Sequence, residues 1–63
     1  MRVIGVKQPV SEAIVKKILK KHNSSLDNKV VDRLAQSICN GNAVLDEDWA
    51  LEQDLKDIGI RIA

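Results

Sequence analysis

The sequence predicts a mainly α fold: a compact three-helix domain led by a short N-terminal β-strand. Three observations predict it. On a helical wheel of about 100° per residue, residues 29–40 split into an apolar half of Val30, Val31, Leu34, Ala35, Ile38 and Cys39 and a half that is wholly polar. One-sided apolar patterns also lie upstream and downstream of that stretch, so its stripe, wider than a coiled-coil seam, has two neighbours to meet. Residues 2–7, RVIGVK, are β-branched, short and followed closely by Pro9, the signature of a strand.

That strand alternates poorly, because Val3, Ile4 and Val6 cannot all share one face at a period of two. It also needs a partner for its backbone groups. Two are on offer: the segment 58–63 of the same chain, or the same strand of a second copy across a twofold axis. The first helix begins between positions 9 and 11, with Pro9 suited to a first turn and Ser11 able to cap. Val10, Ile14, Val15, Ile18 and Leu19 form its apolar side, and Lys16, Lys17, Lys20 and Lys21 an opposing arc. It ends at His22-Asn23-Ser24-Ser25, where cations in the last turn complement the helix dipole.

Asp27 or Ser25 caps the second helix, and Asn40-Gly41-Asn42 stops it, with Gly41 fitted to the left-handed residue after a last turn. Leu45 leads into Asp46, Glu47 and Asp48, acids placed where a helix N-terminus favours them. The third helix runs to about position 57 and ends at Gly59. Val44, Leu51, Leu55 and Ile58 make its narrow stripe, and Leu45 and Trp49 sit together on another side, with Asp48 and Glu52 between the two sets.

Sixty-three residues form a single domain, 1–63. A chain of this size buries only about 60% of its unfolded surface. One cysteine cannot make an internal disulfide, and one cysteine with one histidine falls short of a four-ligand zinc site. A homodimer is therefore the expected source of extra stability. The 44% apolar and 30% charged composition is that of a globular domain. The apolar run of Val3, Ile4, Gly5 and Val6 is too short for a signal peptide or a membrane span. With the lone thiol, this sets the expectation of a cytoplasmic protein without membrane contact.

Nothing in the sequence assembles a reaction, so no enzyme is expected. His22 and Cys39 are the one pairing of a base with a nucleophile. Cys39 lies at the edge of an apolar stripe, where a thiol packs as a small hydrophobe. The run Asp46-Glu47-Asp48 lacks the glycine and distal glutamate of a calcium loop, and no glycine-rich phosphate cradle exists. No metal or cofactor is expected.

Binding is the remaining class. Residues 1–40 hold eight Lys and Arg against three Asp and Glu, net +5, and residues 41–63 hold two against six, net −4. This asymmetry predicts two surfaces with different preferences. Arg2, Lys7, Lys16, Lys17, Lys20 and Lys21 are the candidates for an anion or nucleic acid. Leu45, Asp48, Trp49 and Glu52 are the candidates for a protein partner, with Trp49 beside Leu45 as an interface anchor. With one Trp and no Phe or Tyr, the chain lacks the stacking platforms that hold single-stranded nucleic acid. The sequence thus predicts a small non-enzymatic regulatory protein that acts by binding another protein.

The order of strand, helix, polar turn and helix across residues 2–40 resembles the ribbon–helix–helix repressors and the antitoxins built on them, in the order and length of elements. The resemblance implies a strand paired across a dimer and laid in the DNA major groove, with Arg2 and Lys7 as contacts from opposite strand faces. Val3, Ile4, Gly5 and Val6 carry no base-reading group. The acidic third helix corresponds to the toxin-binding tail of such antitoxins. This DNA-binding reading is the alternative to the protein-binding one.

Overall fold

The three β-branched residues of the first strand settle their conflict through a bulge. In the computed structural model, which describes residues 1–45 and 49–63 with Trp49 by its backbone alone, β1 spans Arg2–Val6. It pairs antiparallel with β3 (Ile60–Ile62), with Val3 opposite Ile62, Gly5 opposite Arg61 and Val6 opposite Ile60. The register slips between Val3 and Gly5. An extra residue inserted there shifts the inward–outward alternation by one. Val3 and Val6 thus turn to the same side, Val3 buried and Val6 half-buried, while Ile4 turns out, 53% exposed.

On its other edge β1 pairs antiparallel with β2 (Ala43–Val44), Arg2 opposite Val44 and Val3 opposite Ala43. The sheet order is β2-β1-β3. Met1 and Leu45 extend one end of the ladder by exchanging backbone hydrogen bonds of 2.9 and 3.0 Å. The Lys7 amide donating to Gly59 (2.8 Å) and the Ala63 amide donating to Arg2 (2.9 Å) complete the β1–β3 side. Of the two partners the sequence left open, the structure uses the chain's own C-terminal segment, and it adds β2. The strand on which the ribbon–helix–helix resemblance rests is the middle one of an intrachain sheet.

Three helices accompany this sheet among the described residues: α1 (Glu12–His22), α2 (Asn28–Cys39) and α3 (Trp49–Asp57). Ser11 caps α1 by accepting from the Ala13 amide, and Asp27 caps α2 by accepting from the Lys29 amide at 2.7 Å, each satisfying a donor the helix leaves open. At the far end of α2 the Gly41 amide donates to Ile38 and the Asn42 amide to Ser37, with Gly41 at φ +74°. These two bonds are the Schellman arrangement, and they require the left-handed residue that Gly41 supplies.

The three helices and the N-terminal strand are those the sequence predicts, and a small three-stranded antiparallel sheet makes the fold mixed α/β rather than purely helical. The difference lies in the small sheet. A two-residue strand such as β2 has no periodicity to betray it, and Val44 belongs to that strand, 77% exposed, not to the third helix's stripe. Its neighbours in that stripe hold: Leu51 and Leu55 are buried and Ile58 is half-buried.

The helices α2 and α3 pack on one face of the sheet, and α1 packs against both. Val3, Ala43 and Ile60 from the sheet meet Val15 and Leu19 from α1, Val31, Ala35 and Ile38 from α2, and Leu51 and Leu55 from α3. The helices α1 and α2 each bury a narrower face than their wheels suggest. In α2, Val30 is 42% exposed and Leu34 half-buried, because the sheet and α1 both meet the Val31–Ala35–Ile38 side. In α1, Ile14 is 47% exposed, because α2 and α3 meet the Val15–Leu19 side.

Candidate functional site

A helix carrying four lysines has to place them somewhere, and α1 points three of them at its neighbours. Lys16 forms an ion pair of 3.0 Å with Asp32 of α2, and the hydrogen bond from that pairing raises the lysine's pKa. Lys20 donates to the side-chain oxygen of Asn28 at the start of α2. Lys21 reaches across to Asp54 of α3 at 3.2 Å. Lys17 is exposed and makes no ion pair among the described residues. Most of the predicted anion-binding arc thus serves to hold α1 to α2 and α3, although exposed pairs of this kind stabilise only modestly.

Asp54, which sequence reasoning did not single out, is the hub of this contact. His22 Nε2 lies 2.7 Å from its Oδ2, and Lys21 shares the same oxygen. The hydrogen bond from His22, then that from Lys21, hold the Asp54 carboxyl below its ordinary value. Because the folded value is depressed, the stabilisation is fully present above the ordinary value of 3.8 and is lost as pH falls through the folded value. Asp54→Asn is therefore expected to lower stability at neutral pH and to flatten its decline below pH 3.8. Urea unfolding of both proteins across that range checks this. His22, which the sequence places in the polar cluster that ends α1, is also an α1–α3 tie. Only the packing of two helices 32 positions apart in sequence could reveal that.

Cys39 is partly buried at the end of α2, and burial pushes its thiol pKa up, away from the reactive thiolate. It stands on α2, while His22 is taken by Asp54. Between α1 and α3 an open groove of about 490 Å³ has Ile14, Ile18 and Ile58 on its floor and Lys17, Lys21, Asp54 and Asp57 at its borders. Among the described residues no cluster of three or more His, Cys, Asp or Glu side chains is placed to hold a metal ion. No helix among them is long and apolar enough to cross a membrane.

The predicted protein-partner set is only partly described. Asp48 and the Trp49 side chain lie outside the described residues. Leu45 is half-buried, packs against the core and pairs its backbone with Met1. Glu52 binds Lys56 one turn on, at 3.3 Å.

The outer face of the sheet is the surface sequence reasoning missed. Arg2 and Val44 stand opposite each other on it, and Ile4 lies on the diagonal from Val44. Arg61 lies beyond, its Cδ 3.8 Å from the point where a Gly5 side chain would begin. Ile4, Lys7 and Arg61 also line one cleft of about 280 Å³, together with Ile60 and Ile62 of β3 and Lys56 of α3. Arg2 and Lys7, expected on opposite strand faces, therefore share this side, because the bulge between them reverses the alternation. Period-two reasoning gives no warning of a bulge, and so none of this face.

With no family, curated protein or solved structure matching this chain, the site's own geometry carries the functional reading.

Proposed function

We propose that this chain is a small, non-enzymatic cytoplasmic protein that acts by binding another protein. The observation that supports this most is the uncovered sheet face. Ile4 and Val44 are 53% and 77% exposed there, on a cross-strand diagonal and bordered by cations. Large aliphatic side chains gathered on one exposed face mark an interaction surface, whereas scattered ones do not. Affinity capture from the source organism's extract, with the native chain and with an Ile4→Asp/Val44→Asp variant, tests the reading. A protein retained in stoichiometric amount by the native chain and lost by the variant is the expected result.

Duplex DNA is the competing ligand. Arg2, Lys7, Lys17 and Arg61 make no ion pair among the described residues, so weak association at low salt is expected, without sequence preference and vanishing by about 200 mM salt. Lys17→Glu should weaken it further. Lys16→Glu would instead set a carboxylate against Asp32 and perturb the fold. Tight binding to one DNA sequence that survives this salt, with no captured protein, would overturn the protein-binding reading.

A further inference from the structure

Sheets with aliphatic side chains on both faces are ordinarily covered on both, most often by helices. Among the described residues this sheet has helices on one face only. What covers the other face has to satisfy two chemistries at once. The centre is aliphatic: Ile4 and Val44, with the stem of Arg61 lying over Gly5. The border is cationic: Arg2 beside Val44 at one end, and Lys7 and Arg61 at the other. None of these three cations has an ion-pair partner among the described residues, while Glu52 and Asp54 are already taken by Lys56, Lys21 and His22.

We propose that the open face of the sheet is a docking site for an amphipathic, acidic helix of a partner protein. Its aliphatic stripe covers Ile4 and Val44, and its flanking carboxylates meet Arg2, Lys7 and Arg61. This rests on the protein-binding reading above and specifies the partner's chemistry. Charge decides among the candidate occupants. A second copy meeting this face about a twofold axis would bring Arg2, Lys7 and Arg61 against their own counterparts, a like-charge juxtaposition. Nucleic acid would use the cations but gain nothing from Ile4 and Val44, and among the described residues the face carries no aromatic ring on which a base could stack. A helix with carboxylates along both borders of an aliphatic stripe uses Arg2, Ile4, Lys7, Val44 and Arg61 together. It also turns the sheet into the middle layer of a three-layer sandwich.

The test is an NMR titration of the ¹⁵N-labelled chain with a designed peptide of about 20 residues, long enough to form a helix on docking. The peptide carries Leu at helical spacing on one face and Glu on both borders. Three controls accompany it: the same composition with the leucines dispersed, the same stripe with Lys for Glu, and polyglutamate. The expected result is saturable shifts at Arg2, Ile4, Val44 and Arg61 with the designed peptide alone. Lys7→Glu/Arg61→Glu should weaken binding by about tenfold or more while the rest of the spectrum stays folded. Equal binding of polyglutamate, an unaffected charge-reversed variant, or no shift at all overturns the proposal. So does tighter perturbation of the face by duplex DNA, by anionic vesicles, or by rising concentration of the chain itself. If instead the peptide shifts only the α1–α3 groove or Leu45, the sheet-face inference falls while the protein-binding reading stands.

Discussion

Ile38→Ala is expected to destabilise the fold by about 2–5 kcal/mol, the cost of a large-to-small change at a site that cannot collapse. Ile38 is fully buried near the end of α2, where this helix, α1 and the sheet converge. A 63-residue domain holds only about 3–9 kcal/mol in all, so the variant should lose a large part of its stability. Leu34→Ala, one turn earlier on the same wheel half, should cost clearly less, because Leu34 is only half-buried and keeps part of its surface in water. Urea midpoints of the two variants, measured side by side, decide it. A larger shift for Leu34 than for Ile38 would place the inward face of α2 where the hydrophobic pattern alone centres it.

Gly41→Ala should be nearly as damaging, for two independent reasons. At φ +74° a side chain is strained, at about 1–2 kcal/mol. In addition, a Cβ on Gly41 would lie 2.7 Å from the Cα of Gly5. That neighbour is backbone, held in the middle strand at its bulge, so relief requires α2 and β1 to part. Forced overpacking of this kind costs about 1–3 kcal/mol more. Two companions separate the causes. Gly59→Ala bears the conformational cost at φ +102°, but its nearest neighbour is the flexible Gln8 side chain at 3.5 Å, so it should be the milder variant. Gly41→Asn tolerates the left-handed conformation yet still meets Gly5, so it should remain close to Gly41→Ala. Thermal unfolding of the three variants checks this order, and recovery of stability in Gly41→Asn would remove the Gly5 contact as a cause.

The helices, their caps and their stops were legible in the sequence because each depends on near neighbours. Ser11 and Asp27 cap through amides two residues on, and Gly41 and Asn42 close α2 by donating to carbonyls three and five residues back. The apolar stripes were legible too, as the sides from which Val15, Leu19, Val31, Ala35, Ile38, Leu51 and Leu55 are buried. Which part of each stripe faces inward was not, since the angle at which α1, α2 and the sheet meet belongs to none of them alone. Only the tertiary structure decided the pairing of β1 with β2 and β3, because strand partners lie about forty or more residues away and two-residue β2 leaves no pattern. The same holds for Asp54. Its sequence neighbourhood marks an exposed acid, whereas the packing of α3 against α1 places it between Lys21 and His22. The candidate site went unseen for the most local of these reasons. One inserted residue between Val3 and Gly5 reverses the alternation, and with it gathers Arg2, Ile4, Lys7 and Arg61 on a face that a regular strand would have divided.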